Sequence, residues 1–595
     1  MSLSAEHSNI VPTAGNFRGW LSALGVSLGT ALLVVSPFLW LRTASGHDIA
    51  FHASSWLDVA GQWKEGIVYP RWCEWANNGF GEPRYIFYPP LSWMLGAALG
   101  FIAPWKAVPG VFIVLAQTLA GVSMFALARR FLSAGAATFA APCYAANPYA
   151  LLVAYMRSDF AEQLAWALLP ALLLAALQLC GLMENHWRSG TRVAAIFALL
   201  FAGIWLANAP AGVMASYSMA LLFAWAAITE KSMRPLLRGA GGLALGFGLA
   251  GFYLLPAAYE QRWVNIDQAL SSGLQPAENF LYTVINDPEH NLFNWIVSSV
   301  AVLLMVMTGI AALLAKRNEE NAKEGEGAGR LWLAMLLLSA TAAGLMMRPS
   351  AIFWELLPKL RFVQFPWRWM GVLAVPYAYW GAGAMARRRA GWMWSGVMIL
   401  ATTGTATFLV RNGWWDSDDI PVLQQAIAND KGFEGTDEYD PAKDDHTNLP
   451  AKAERVQILP ADGEKASVPK AEVRIARWAA EEKELSVNSP QEVRLAIRLL
   501  DYPAWRVEVN GRPVTPESPE TTAQMILPLP AGTERIGIKF VDTPDRIWGE
   551  VISSGACLVF LMLLFLGRAK RPSPSGTVRS GGMQPGKLHT FGIME

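Results

Sequence analysis

Residues 20–41 read WLSALGVSLGTALLVVSPFLWL, twenty-two residues without a charge. A helix of about 20 apolar residues crosses the roughly 30 Å hydrocarbon core of a bilayer. The run is longer than the core of a secretory signal, about 7–15 residues, and no small-x-small cleavage pattern closes it. It therefore predicts an uncleaved first span behind a cytoplasmic segment 1–19. Eleven further runs qualify: 106–128, 132–154, 162–182, 192–209, 211–229, 239–257, 293–315, 331–347, 369–386, 391–410 and 548–567. The expectation is a polytopic α-helical membrane protein of about 12 spans.

Composition agrees. Of 595 residues 53% are hydrophobic and 16% charged, against roughly 25% charged in an ordinary soluble domain. The formal charge of +1 lacks the basic surplus of a nucleic-acid binder. It conceals a split: residues 412–545 hold 25 acidic and 15 basic side chains, so the remainder is basic. Such asymmetry marks two solvent environments.

Basic flanks orient the spans, because cytoplasmic loops collect Lys and Arg. Arg129 and Arg130, Arg188 and Arg192, Lys231, Arg234 and Arg238, Lys316, Arg317 and Lys323, Arg387 to Arg389, and Arg568, Lys570 and Arg571 fall on one side. Both termini are then cytoplasmic. Pro90–Ala103 is too short to cross and reads as lying in the outer leaflet, and Ser350–Trp367 reads as amphipathic at the outer interface.

The expected organisation is a membrane domain over 20–411 with a first outer loop 42–88, an extracytoplasmic domain 412–545, a last span 548–567 and a disordered cytoplasmic tail 568–595. Alternation in 492–499, 505–509, 523–528 and 534–542, with the turn pair Asn510-Gly511, predicts a β-sandwich-like fold for the outer domain. The stretch 430–470, rich in Asp, Gly, Pro and Lys, reads as irregular. Four cysteines build no disulfide framework, and no Cys/His set has zinc spacing.

Chemistry concentrates in the first outer loop, which opens Gly46-His47-Asp48-Ile49-Ala50-Phe51-His52. As a helix over 48–63 it carries an apolar stripe, Ile49, Ala53, Trp56, Ala60 and Trp63, expected on the bilayer surface. Asp48 and His52 share another face one turn apart. A carboxylate at the mouth of the first span is a candidate general base, with His52 orienting it or the acceptor; the plainer role is a helix cap. In the next outer loop Arg157, Asp159 and Glu162 cluster, Asp159 and Glu162 three residues apart. With Asp48 they offer oxygens to a divalent cation or hydrogen bonds to an acceptor sugar, although fewer than the usual six oxygen ligands are identifiable. The plainer role is a helix start favoured by its dipole, with an ion pair. Glu260 and Arg262 follow the seventh span, and Arg361 and Arg368 stand among aromatics before the tenth. An Arg at that depth takes an anionic partner, phosphate suiting its planar fork, or snorkels to headgroups.

The residues His47-Asp48…His52, Gly66-Ile67-Val68-Tyr69-Pro70-Arg71-Trp72, Asn78-Gly79-Phe80-Gly81-Glu82-Pro83 and Phe87-Tyr88-Pro89-Pro90-Leu91 resemble the first outer loop of GT-C-fold membrane glycosyltransferases. With Arg157 to Glu162, Gln364 to Arg368, Glu434 to Pro441 and Asp501 to Val507, the chain is similar to the bacterial membrane family labelled "6-pyruvoyl-tetrahydropterin synthase-related", close to the YfhO-like proteins. The resemblance implies a GT-C core in the bacterial inner membrane, an outward-facing site, a polyprenyl-phosphate-linked sugar as donor and inverting transfer to a glycan, lipid or protein acceptor. It places the catalytic base at Asp48. Two departures stand out: the acidic pair of many GT-C enzymes appears here as His47-Asp48, which weakens a metal-dependent mechanism, and the seven histidines hold no three-histidine zinc set. The alternatives are a non-catalytic GT-C-like protein that binds or moves a lipid-linked glycan, and an anchored binding module whose outer domain is the working part.

Overall fold

The computed structural model describes residues 14–183, 190–322, 326–386, 388–441, 449–450, 452–460 and 470–569. The basic residues Arg188, Lys323, Arg387, Lys570 and Arg571 and most of the expected tail lie outside them, as does much of 430–470.

Eight helices among the described residues are long and apolar enough to cross a membrane: Phe17–Leu41, Trp105–Ala128, Phe160–Leu179, Gly190–Ala207, Ala209–Thr229, Pro288–Arg317, Gly391–Asn412 and Pro544–Leu566. Two bent pairs raise the number to ten if each is one span: Arg234–Leu249 with Gly251–Trp263 at 76°, and Gly329–Leu345 with Arg348–Leu356 at 93°. The last helix seats in the first bend, where Ser553 Oγ accepts from the backbone N–H of Phe252 at 2.8 Å.

The other two apolar runs form shorter helices. Run 132–154 breaks into Ala134–Ala145 and Pro148–Leu152, because the Asn147 side chain accepts from the N–H groups of Tyr149 and Ala150 and starts a new helix at Pro148. A π-turn, Val153–Arg157, follows. Run 369–386 yields the 14-residue helix Met370–Gly383 between two 3-10 turns, buried along nearly its whole length. Apolar composition reports burial and does not say whether lipid or protein supplies it.

The strand Thr43–Ala44 pairs with Trp415–Asp416, so the first span and Gly391–Asn412 end on the same side. At the opposite end Arg330 pairs with Glu230. The first loop and the C-terminal domain thus share one side. That domain is β-rich: an antiparallel sheet in the order Glu472–Trp478, Glu482–Ser489, Gly532–Phe540, Trp505–Val509, Arg512–Pro513, and another in the order Val456–Pro460, Val493–Leu500, Gln524–Leu529. Leu485, Val487, Leu495, Ile497, Val507, Leu527, Ile536 and Ile538 fill its core. Asn510 and Gly511 both take positive φ, as the tight turn after Val509 requires. Within 430–470 the strand Val456–Pro460 departs from the irregular reading, and the other described residues there hold only the 3-10 turn Asp437–Tyr439.

The helix Ile49–Lys64 forms as the spacing predicts, but its apolar stripe does not face a bilayer. Trp56 is fully buried, stacked on Phe112 at 5.7 Å, and Gly96 of the short helix Pro90–Gly100 leaves room for its indole. Ile49, Ala53, Trp56 and Ala60 are buried, with Pro90–Gly100 packed on the helix and the spans Trp105–Ala128 and Phe160–Leu179 supplying Phe112 and Phe160 against Trp56, and Trp63 is half-buried.

Candidate functional site

Gly46-His47-Asp48 docks on the turn Met156-Arg157-Ser158. The N–H groups of His47 and Asp48 donate to the carbonyls of Met156 and Arg157 at 3.3 and 2.8 Å. Ser158, in a left-handed conformation (φ 53°), accepts from Gly46 N–H at 3.1 Å and donates to the Ala44 carbonyl at 2.9 Å. A Cβ on Gly46 would lie 2.6 Å from the Arg157 carbonyl carbon, so only glycine permits this approach.

The docking brings six of the expected residues together. Arg157 donates through Nε and Nη2 to one oxygen of Asp48, Oδ2, at 3.1 and 2.5 Å. Asp159 caps the helix Phe160–Leu179, accepting from Glu162 N–H at 2.9 Å. Its Oδ1 lies 3.6 Å from His52 Nε2, and its Oδ2 lies 3.6 Å from both Arg157 and Arg368. Glu162 accepts from the Tyr149 hydroxyl and, at 2.9 Å, from the Trp166 indole, with Arg368 Nε 3.3 Å from its other oxygen. Phe365 lies against both guanidiniums, 5.2 Å from Arg157 and 4.9 Å from Arg368. Asp48 is the accessible carboxylate: its side chain is 31% exposed, whereas those of Asp159 and Glu162 are 4% and 0% exposed.

The neighbours shape the titration. Burial alone would raise the Asp159 carboxyl, but His52 beside it and the guanidiniums of Arg157 and Arg368 outweigh that and hold it well below the usual range. Burial and then the charge of Arg157 lower His47, against the pull of Asp48. His52 faces Asp159 rather than Asp48, in a cage of Phe51, Trp56, Tyr88 and Phe160.

The other three expected residues lie elsewhere. Glu260 is fully buried and takes two hydrogen bonds of 2.8 Å from Arg546 and one of 2.6 Å from the Tyr502 hydroxyl. It clasps the last span and the β-rich domain to the bundle. Arg262 and Arg361 are exposed, over the rings of Tyr259 at 3.6 Å and Phe362 at 5.0 Å. Arg368, in contrast, is buried against carboxylates and does not snorkel. Tyr149, Trp166 and Ser158, which complete the cluster, carry no signal in the sequence beyond their closeness to Asp159.

A divalent cation does not fit this arrangement. Among the described residues no three Asp, Glu, His or Cys side chains converge as ligands, and guanidiniums stand against the three carboxylates.

A family model described as "6-pyruvoyl-tetrahydropterin synthase related domain; membrane protein" matches residues 85–410. Solved structures with similarity include an oligosaccharyltransferase of Archaeoglobus fulgidus tethered with an acceptor peptide, 13% identical over 66% of this chain and 54% of that one, with a TM-score of 0.40. The oligosaccharyltransferase AglB of the same organism, in complex with an inhibitory peptide and a dolichol-phosphate, is 14% identical over 71% and 57%, with a TM-score of 0.35. ArnT of Cupriavidus metallidurans bound to undecaprenyl phosphate is 14% identical over 63% and 79%, with a TM-score of 0.29. The chain spans little more than half the length of the oligosaccharyltransferase chains. No curated protein matches it significantly.

Proposed function

From the premise that the chain belongs to the 6-pyruvoyl-tetrahydropterin synthase related family of membrane proteins, we propose that it is a multi-pass GT-C-type glycosyltransferase that moves a sugar from a polyprenyl-phosphate donor to an acceptor hydroxyl. The observation that carries this reading is the accessible Asp48 carboxylate held by the buried guanidinium of Arg157, which shares Asp159 with the buried guanidinium of Arg368.

Asp48 takes the proton of the acceptor hydroxyl as that oxygen bonds to the anomeric carbon from the face opposite the phosphate. The bond from the anomeric carbon to the phosphate oxygen breaks, its electron pair staying with the phosphate, so configuration inverts. The fork from Arg157 occupies Oδ2, which leaves Oδ1 as the base. Arg368, shared between Asp159 and Glu162, neutralises the departing phosphate, and preorganised charge of this kind is commonly the largest part of a rate gain. His52 acts through Asp159 as a positioning residue. Lys231, Arg234, Arg238, Lys316 and Arg317 flank helix ends away from Asp48, so the site side is extracytoplasmic in this reading and the membrane is the bacterial inner membrane.

The test is to incubate the purified protein with a panel of polyprenyl-phosphate sugars and measure release of the bare lipid phosphate. Release with one donor and an acceptor supports transfer. Binding of donors without release favours a second reading, a non-catalytic protein that binds or moves a lipid-linked glycan, for which the arginine clamp speaks because it already engages one oxygen of Asp48.

A further inference from the structure

One turn deeper than the charged cluster, a cavity opens among the helices Val108–Ala128, Ala134–Ala145, Pro148–Leu152, Phe160–Leu179 and Met370–Gly383. Its empty space is about 390 Å³ with the open mouth included, and the enclosed part has room for about two water-sized groups. Alanines and a glycine make up much of its wall.

Two glutamines break the apolar wall. Gln117 and Gln163 are 3% and 7% exposed, and the amide nitrogen and oxygen of each lack a hydrogen-bond partner. The other polar groups there are engaged: Asn147 caps its helix, the Tyr149 hydroxyl bonds Glu162, and the Tyr144 hydroxyl donates to the Trp166 carbonyl at 2.7 Å. A buried amide atom without a partner costs roughly 1–3 kcal/mol, and more where water is scarce. Four such atoms, on two residues of one cavity wall, call for a polar partner.

We propose that this cavity binds the hydroxyl end of an uncharged membrane lipid. Its lining carries no charged side chain, which disfavours a phosphate. Its enclosed part is too small for a hexose ring. A hydroxyl matches the amide pair, donating to one carbonyl and accepting from the other NH₂ group, while Ala116, Ala120, Ala167, Gly371 and Ala374 give the wall around it an apolar surface for the carbons next to the hydroxyl. The site is independent of whether Asp48 serves sugar transfer.

The experiment uses the full chain in lipid nanodiscs with a photoreactive long-chain alcohol, and the same photoreactive hydrocarbon without the hydroxyl as its pair. The wild type is expected to be labelled on the cavity walls about tenfold more by the alcohol, since two hydrogen bonds are at stake. Gln117→Leu with Gln163→Leu removes the difference. Ala167→Leu, which fills the space and keeps both amides, removes the labelling. Equal labelling by the two probes, survival of the alcohol's advantage in the double variant, or a high-resolution map showing only water in the cavity under saturating alcohol each overturns the proposal.

Discussion

Arg157 holds Asp48 twice: its carbonyl accepts the Asp48 N–H at 2.8 Å, and its guanidinium forks onto Asp48 Oδ2. Backbone and side chain of one residue thus set both position and orientation of the accessible carboxylate. A base fixed this way need not search for its geometry when an acceptor arrives. Arg157→Lys keeps the charge and loses the fork. In the proposed reaction it lowers kcat more than it raises KM, and steady-state kinetics with a responsive donor check the split.

Asp48→Asn removes the base and retains the shape. Transfer falls by about 10²–10⁴-fold, the usual worth of a general base, while donor binding measured by titration stays within a few fold. Undiminished turnover in this variant would remove Asp48 from the role.

Gly46→Ala tests the docking of the first loop. The added Cβ meets the Met156 carbonyl oxygen and the Arg157 carbonyl carbon at 2.6 Å, both backbone atoms that cannot swing aside. The turn must shift, at about 1–3 kcal/mol by comparison with other overpacked sites, and Asp48 moves with it. Thermal unfolding in detergent reads the destabilisation, and activity falls by more than stability alone explains.

How much of this was legible in the sequence follows from what each signal measures. Long uncharged runs such as 20–41 and 293–315 needed only length, and alternation with Asn510-Gly511 exposed the strands around them. Run 369–386 passed the same test and proved to be the interior helix Met370–Gly383, because hydropathy does not distinguish lipid from protein as the cover. In the site, Asp159 and Glu162 were visible as neighbours on one helix start. Their closeness to Arg368 and, through Arg157, to Asp48 is long-range, and the docking of Gly46 on Ser158 that brings Asp48 in is reported by no spacing. Glu260 looked the same as the site carboxylates in sequence, a charge at the outer end of a span, and its partner Arg546 stands 286 positions away.

That pair gives a prediction of its own. Glu260 and Arg546 are both fully buried, with the Tyr502 hydroxyl as third member. Arg546→Ala strands a buried carboxylate and destabilises the chain by about 3–5 kcal/mol. Glu260→Gln with Arg546→Met removes both charges and is milder. Denaturant unfolding in detergent compares the two, and loss of the β-rich domain's protease resistance is expected first in Arg546→Ala, because Tyr502 belongs to that domain.

Asp58, in the loop helix Ile49–Lys64, makes stability depend on pH. Burial raises its carboxyl to about 6, against the hydrogen bonds from Tyr85, Gln62 and the Trp75 N–H and the charge of Arg84. The folded state therefore holds this proton more tightly than the unfolded chain, whose carboxyl titrates near 3.9. Between about pH 4 and 6 the folded form binds more protons, so the contribution of Asp58 to stability falls as pH rises through that window and is flat above it. Asp58→Asn keeps the shape without the ionisation and flattens that slope. Unfolding midpoints of the two proteins across pH 4 to 7 measure it, and parallel curves would assign the pH dependence to other groups.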